Sequence, residues 1–231
     1  MKEKAIKYLM KDQLLHIGMI EPINRNTADI LYADSDCVLM KELKSNALMI
    51  SAASFEKGHE VLSKISECSL IVAHQQFMAD YISNKFGLNN KLECFQAAYL
   101  SKDKLVIDKS IEVRQLDINH ADSVLKHYDL LSDSEIRALL KDGSIYGGYK
   151  DEVLVGFIGT HLEGSIGLLE VFPEYRHLGY GTVLESYMVN KILDMSAIPY
   201  AQVEVNNTKS MALQKKLGFN ISENSIYWIF N

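Results

Sequence analysis

The stretch VFPEYRHLGYG, residues 171–181, constrains the fold of this chain more than any other part of the sequence. It places one of the chain's 3 prolines and two of its 13 glycines directly after the apolar run GSIGLLE. The apolar pattern predicts a strand before the stretch and an amphipathic helix after it. A glycine turn between strand and helix leaves backbone N–H groups free at the positive end of the helix dipole. The sequence therefore predicts an α/β unit with an anion site at this turn.

The side chains of the turn favour a phosphate as the anion. Gly179 and Gly181 allow the backbone to approach a ligand closely, and Arg176 adds a forked positive charge. The dinucleotide pattern GxGxxG is not met, because Leu184 occupies the third glycine position, and the P-loop pattern GxxxxGK[ST] is absent. The spacing RxxGxG alone is a weak signal, and its place between a strand and a helix is what strengthens it.

The remaining apolar patterns predict two α/β halves. The order βββαβαβ is predicted for residues 29–100, and residues 101–110 are predicted to be a linker because charge rises there. A strand, two helices, three strands, a helix, a strand, a helix and a last strand are predicted for residues 111–231.

The two halves correspond when the chain is shifted by 131 positions. Lys85-Phe86-Gly87-Leu88-Asn89 then meets Lys216-Leu217-Gly218-Phe219-Asn220, and a strand, a helix, a glycine stop and a strand coincide. This register favours a duplication with a degenerate first copy, although such patterns also recur by chance in α/β proteins. The first copy has SAASFEKGHEV in place of RxxGxG, so we expect only the second half to bind the anion.

The composition argues against several partners. The net charge of -6 and the lack of a basic tract argue against nucleic acid, and no apolar run is long enough for a membrane helix. Lysines and an aspartate interrupt the N-terminal apolar residues, so a signal peptide is not expected there. The cysteines, Cys37, Cys68 and Cys94, lack metal spacing and are predicted to be reduced core thiols of a cytoplasmic protein. No metal site is predicted.

VFPEYRHLGYG followed by VEVNNTKSMALQKKLGF resembles the coenzyme A-binding core of the GNAT superfamily of N-acyltransferases. The resemblance covers residues 111–231, and the first half more loosely resembles the degenerate N-terminal copy of tandem members, including the glycine N-acyltransferase-like branch. It implies two GNAT-like lobes at 1–105 and 111–231, each a mixed, mostly antiparallel sheet flanked by helices. It also implies acetyl-CoA as the acyl donor.

The resemblance implies a set of residues that contact the cofactor. The backbone of Val171 would contact the pantetheine arm, residues 176–182 would surround the pyrophosphate, and Asn207 and Ser210 would line the other side. The full set is Val171, Phe172, Arg176, His177, Leu178, Gly179, Tyr180, Gly181, Thr182, Asn207 and Ser210. Asn207 is equally well explained as a helix cap with Ser210 in the first turn, and the two roles are compatible.

Acyl transfer to an amine needs a base, and Glu170 is the first candidate because a carboxylate in an apolar strand is costly unless paired or used. The alternatives are a salt bridge with a buried arginine, such as Arg114 or Arg137, and a side chain that simply reaches water. The resemblance places the glutamate base of many members at Ser165, and Glu163, two residues before, could replace that glutamate or, as we expect, be a turn charge. His161 could also be a base, although a lone histidine is more often structural.

The general acid is less clear from the sequence. Many superfamily members have a tyrosine where this chain has Gln214, so Tyr227 or water would have to protonate the thiolate. Tyr146 and Tyr149 border the acceptor cleft in this architecture and are expected to be packing residues.

We therefore expect acetyl transfer to a primary amine of a small molecule or peptide by direct attack. The alternatives are a non-catalytic acyl-CoA sensor or assembly module, and a protein that binds another phosphate ligand such as a nucleotide. The sequence identifies no acceptor and leaves the oligomeric state open, a homodimer included.

Overall fold

A computed structural model describes all 231 residues of the chain, which form two compact units. Unit 1 comprises residues 1–98 and 202–231, and unit 2 comprises residues 99–201. The helices and strands follow one another as α1 (Lys2–Leu9), α2 (Ile17–Asn24), β1 (Ala28–Ala33), β2 (Cys37–Glu42), β3 (Leu48–Ala52), α3 (Phe55–Leu62), β4 (Leu70–Ala73), α4 (Gln76–Phe86), β5 (Asn90–Ala98), β6 (Glu112–Gln115), α5 (Ala121–His127), α6 (Asp133–Lys141), β7 (Ile145–Lys150), β8 (Val153–Thr160), β9 (Ile166–Val171), α7 (Tyr180–Asp194), β10 (Tyr200–Glu204), α8 (Thr208–Lys216) and β11 (Asn220–Phe230).

The sheet of unit 1 has the strand order β1-β2-β3-β4-β11-β5 and is antiparallel except for the pair β3–β4. Side chains alternate between its two faces, as the strand period requires. Leu39, Ile50 and Ile71 point to the face covered by α3 and α4. Val38 and Met49 point to the opposite face, which α1 and α2 cover. Unit 1 is therefore a sheet between two helical layers.

The sheet of unit 2 has β9, β8, β7 and β6 as antiparallel neighbours, and Ala201 of β10 pairs in parallel with Ile166 of β9. Helices α5 and α6 pack with Phe157, Leu168 and Phe172 on one face. Helix α7 packs on β7, β8 and β9. The prediction of a mixed α/β fold with mostly antiparallel sheets flanked by helices is confirmed.

The structure divides the chain differently from the boundaries 1–105 and 111–231. Residues 202–231 cluster with unit 1, because β11 pairs with β4 on one side and with β5 on the other. Within the predicted linker, the backbone of Leu105 is bound by the side chain of Asn190 in α7. Asn190 Nδ2 donates to the Leu105 carbonyl, and Asn190 Oδ1 accepts from the Leu105 N–H, each at 2.8 Å. Local patterns predict where strands lie but not which strands pair across the chain.

The correspondence at a shift of 131 positions is present in the structure. β4, α4 and β5 have the same order as β10, α8 and β11, with each element starting within two residues of the shifted position. Gly87 directly after α4 and Gly218 just past α8 both have left-handed backbone, with φ of 66° and 87°. Glycine adopts this conformation without the strain that a side chain adds, which explains its place at both helix ends.

The helix α2 was not predicted. Every residue from Ile17 to Ile23 is buried, and Pro22 lies inside the helix. A helix that is buried on all sides shows no 3.6-residue alternation of apolar and polar residues, so the sequence carries no periodic signal for it.

All three cysteines are free thiols in unit 1, as predicted. Cys37 and Cys94 are buried, and burial raises the pKa of both thiols to about 12. They are therefore protonated and poorly nucleophilic near neutral pH.

Candidate acyl-CoA site

Strand β9 contains a β-bulge that the sequence did not reveal. Phe157 of β8 pairs with Glu170, whereas Gly159 pairs with Gly167, so β9 has one more residue than β8 between these two pairs. Leu168, within the extra length, has a left-handed φ of 51°. A bulge interrupts the ladder and turns backbone groups away from the neighbouring strand. The backbone around Leu168 is therefore set apart from the regular sheet.

The backbone of β9 lies very close to that of β8, and this approach is possible because Gly156 of β8 has no side chain. A Cβ placed on Gly156 would overlap the carbonyl oxygen of Glu170 and lie 3.0 Å from the Cα of Val171. Both obstacles are backbone atoms, which cannot move out of the way as a flexible side chain can. Gly156 thus fixes the position of β9 at Glu170 and Val171.

The chain between β9 and α7 makes a compact turn. A short 3-10 turn covers Pro173–Tyr175, and both His177 and Gly179 have left-handed backbone, with φ of 64° and 85°. Left-handed residues among ordinary ones curve successive N–H groups toward one point, which is the geometry of an anion-binding nest.

The N–H groups of residues 177–181 donate to no protein acceptor. Gly179 directly precedes helix α7, and no side chain caps this end of the helix. The Thr182 N–H, in contrast, donates to the Gly179 carbonyl at 3.0 Å. Five backbone donors thus remain available at the positive end of a fifteen-residue helix.

The space in front of these donors is open. A Cβ placed on Gly179 would meet no atom within 4 Å. Leu178 is 58% exposed, whereas Tyr180 is buried and anchors the start of α7 in unit 2. A Cβ on Gly181 would lie 3.8 Å from Val171 and 4.0 Å from Leu169, so the helix start adjoins the end of the bulged strand.

Arg176 connects the turn to β9. Its Nε donates to the Val171 carbonyl at 3.0 Å, and its Nη2 donates to Glu170 Oε1 at 2.7 Å. Glu170, the predicted base, is therefore ion-paired. A salt bridge is thus present, but not with the arginines named as examples, because Arg114 and Arg137 bind other carboxylates. The partner is Arg176, the arginine that the sequence pattern assigns to phosphate. The catalytic role of Glu170 stays a prediction.

The structure brings the predicted residues 170–182 together in unit 2. Phe172 is held by its N–H, which donates to the Val155 carbonyl at 3.0 Å, and its ring stacks on His127 at 3.9 Å. Asn207 and Ser210 belong to unit 1, where Asn207 Oδ1 accepts from the Ser210 N–H at 3.0 Å. The predicted helix cap is confirmed, and their contact with a cofactor stays a prediction.

Glu163, in the hairpin formed by β8 and β9, is not a solvated turn charge. Glu163 lies in the turn between β8 and β9 but is only 5% exposed. Ser165 donates a hydrogen bond to its Oε1, and the Tyr200 hydroxyl donates to its carbonyl at 2.8 Å. His161, in the same hairpin, packs over Gly167. Glu163 and His161 therefore both contact other residues of this β8–β9 hairpin or of β10.

Tyr227, Tyr149 and Tyr146 contact residues that lie outside the turn before α7. Tyr227 lies in the core of unit 1, where its hydroxyl donates to Glu93 at 3.3 Å and burial raises its pKa. The Tyr149 hydroxyl is 3.0 Å from His120 Nε2, and the Tyr146 ring lies 5.5 Å from that of Tyr187. Tyr146 and Tyr149 are packing residues, as expected.

Comparison with known proteins concerns the fold of the chain. Residues 145–229 match the family described as FR47-like protein. A solved protein from Drosophila matches 100% of this chain and 87% of its own, at 15% identity and a TM-score of 0.66. A GCN5-related N-acetyltransferase-like protein from Streptococcus suis matches 96% of this chain and 97% of its own, at 13% identity and a TM-score of 0.55.

A GNAT acetyltransferase from Colwellia psychrerythraea matches 98% of this chain and 97% of its own, at 11% identity and a TM-score of 0.53. The chain has the GNAT acetyltransferase fold. In this GNAT fold, the bulged β9 and the turn before α7 form the candidate acyl-CoA site. No curated protein sequence matches the chain.

No three side chains among the histidines, cysteines and carboxylates are grouped so that they could hold a metal ion. No helix combines the length and the apolar character that crossing a membrane requires.

Proposed function

We propose that this protein is an N-acetyltransferase that moves an acetyl group from acetyl-CoA to a primary amine of a small molecule or peptide. The observation that carries the proposal is the row of free N–H groups at residues 177–181, directly after a bulged strand in a GNAT fold. Both features fit the pyrophosphate and the pantetheine arm of a coenzyme A thioester.

The residues present fit the donor. A pyrophosphate needs several convergent donors, an open approach and a cation, and these are supplied by the five N–H groups, Gly179 and Arg176. The pantetheine arm would run along the backbone of β9 near Val171. Acetyl-CoA supplies an activated acyl group and a thiolate that leaves readily.

The protein's own groups would perform the remaining tasks. A backbone N–H freed at the bulge around Leu168 would stabilise negative charge on the acyl oxygen. Glu170 would take the proton from the attacking amine. Unit 2 contains no cysteine, which supports direct attack over a cysteine-bound acyl intermediate.

Thiol release from acetyl-CoA in the presence of a panel of amines and peptides tests the proposal. We expect turnover with at least one amine, and we expect Glu170→Gln to lower kcat by about 10²-fold or more while acetyl-CoA still binds. Recovery of an acetylated protein after mixing with acetyl-CoA alone would contradict direct attack. Displacement of acetyl-CoA by ATP at similar concentration would instead favour a nucleotide site.

The ion pair between Glu170 and Arg176 favours a second candidate, a non-catalytic acyl-CoA sensor or assembly module. In this function Glu170 would only hold Arg176, and Gln214 in place of tyrosine would have no catalytic consequence. Saturable binding of acetyl-CoA without turnover on any amine would support the sensor.

We also propose that the chain is a duplication of the tandem type, similar to the glycine N-acyltransferase-like branch. The matching glycine-stopped helices α4 and α8 support it. The corresponding helix start in the first copy, at α3, is capped by Ser54, whose Oγ accepts from the Lys57 N–H at 3.3 Å. This cap consumes a donor that a phosphate would need, which is consistent with a single acyl-CoA site per chain.

A further inference from the structure

One side chain contacts two of the groups on β9 to which the proposed reaction assigns a role. Arg176 binds the carboxylate of Glu170, the proposed base, and also the carbonyl of Val171, the proposed pantetheine contact. Its side chain is 51% exposed and that of Glu170 is 24% exposed, so the ion pair lies at the surface of the site.

The residue that carries this guanidinium directly precedes the free N–H groups of the turn in sequence. Arg176 precedes the first of them by one residue and Gly179 by three. A pyrophosphate in the nest carries more charge than one carboxylate and offers oxygens that match the guanidinium fork. It therefore competes with Glu170 for Arg176, and its negative charge also repels the carboxylate.

We propose that Arg176 is a gate that couples acetyl-CoA binding to the release of the base, an inference that rests on the proposed function. Without the donor, Arg176 holds Glu170 in an ion pair and covers the Val171 carbonyl. The arriving pyrophosphate draws the guanidinium away, which frees Glu170 to accept a proton and uncovers the carbonyl for the pantetheine arm. Acetyl-CoA must then bind before the amine can react.

The gate has a consequence for affinity, because coupling between two groups is reciprocal. If the pyrophosphate must displace Glu170 from Arg176, then Glu170 weakens acetyl-CoA binding. Glu170→Gln should therefore bind acetyl-CoA about two- to fivefold more tightly than the wild type, the range expected for an ion pair that is partly exposed. An ion pair that is only structural predicts no gain.

A double-mutant cycle measured by calorimetry tests the gate with acetyl-CoA as the probe. The variants are Glu170→Gln, Arg176→Gln, the double variant and Glu174→Gln. Glu174 is exposed and makes no ion pair, so it controls for the loss of a negative charge near the phosphates. Both ion-pair residues are partly exposed, so the variants should fold, and thermal melts verify this.

We expect tighter binding in Glu170→Gln than in Glu174→Gln, weaker binding in Arg176→Gln, and no gain from Glu170→Gln when Arg176 is already replaced. Initial-rate kinetics should show that acetyl-CoA binds first. An equal gain from Glu170→Gln in both backgrounds, or no gain at all, would overturn the gate and leave the proposed function standing. Absence of acetyl-CoA binding to the wild type would overturn both.

Discussion

His74, at the end of β4, permits a quantitative test of how unit 1 responds to pH. The side chain is 1% exposed, its Nδ1 lies 3.1 Å from the Ile50 carbonyl, and its Nε2 has no hydrogen-bond partner. The pKa of His74 is lowered from 6.5 to about 3, and burial is the largest cause, followed by the nearby His16 ring. The imidazole is therefore neutral in the folded protein at neutral pH.

The sign of the pH effect follows from where the proton binds. Below pH 6.5 the unfolded chain binds a proton at His74, and the folded protein does not until the pH approaches about 3. The contribution of neutral His74 to the free energy of unfolding is thus fully present above pH 6.5 and is lost as the pH falls toward the folded pKa. Between about pH 7.5 and about pH 5 the loss is about 2 kcal/mol. This figure changes little if the folded pKa is anywhere below about 4.

The substitution His74→Leu should remove this loss. The Ile50 carbonyl keeps a partner, because the backbone N–H of His74 also donates to it at 3.0 Å. Leucine also removes the buried Nε2 that lacks a partner. Urea unfolding can be followed by the fluorescence of Trp228, the one tryptophan, which lies in unit 1. The wild type should lose about 2 kcal/mol more than the variant between the two pH values.

The exposed histidine His59 on α3 supplies the control, since His59→Leu removes a histidine from the same unit without opening the buried site. Parallel stability curves for the wild type and His74→Leu would refute the reasoning, because they would mean that folded His74 takes up its proton as readily as the unfolded chain does.

Two glycine substitutions test the geometry of the bulged strand. Gly156→Ala forces a methyl group onto the backbone of Glu170, so we expect a loss of about 1–3 kcal/mol in unfolding free energy and weaker acetyl-CoA binding; unchanged stability in urea titrations would contradict the close approach. Gly167→Ala meets the ring of His161, a side chain that can be removed, so His161→Ala in the same chain should restore stability. If His161→Ala does not restore the stability of Gly167→Ala, a contact other than the His161 ring causes the loss.

The sequence was informative where a local pattern decides the structure. The glycines after α4 and α8 predicted both helix ends, because a left-handed residue there strongly favours glycine. The start of α7 was predicted for a similar reason: the pair Gly179 and Gly181 follows an apolar strand and precedes an amphipathic pattern. The candidate phosphate site was therefore accessible from a short stretch of residues.

The remaining features depend on contacts that no local pattern contains. The left-handed backbone of Leu168 arises from the register between β8 and β9, and leucine carries no signal for it. The partner of Glu170 lies six residues away across a turn, so it depends on how the turn folds back. The place of β11 between β4 and β5 likewise follows from pairing over more than a hundred residues.

The central claim is that the turn before α7 binds the pyrophosphate of acetyl-CoA, and calorimetric titration tests it most directly. The variant Gly179→Asp puts a side chain and a negative charge into the open space before the free N–H groups. Gly87→Asp is a matched control, since Gly87 also has left-handed backbone and no atom within 4 Å of a Cβ, but lies in unit 1. We predict saturable binding to the wild type and to Gly87→Asp, and none to Gly179→Asp. Equal binding by all three proteins, or no binding by the wild type, would contradict the claim.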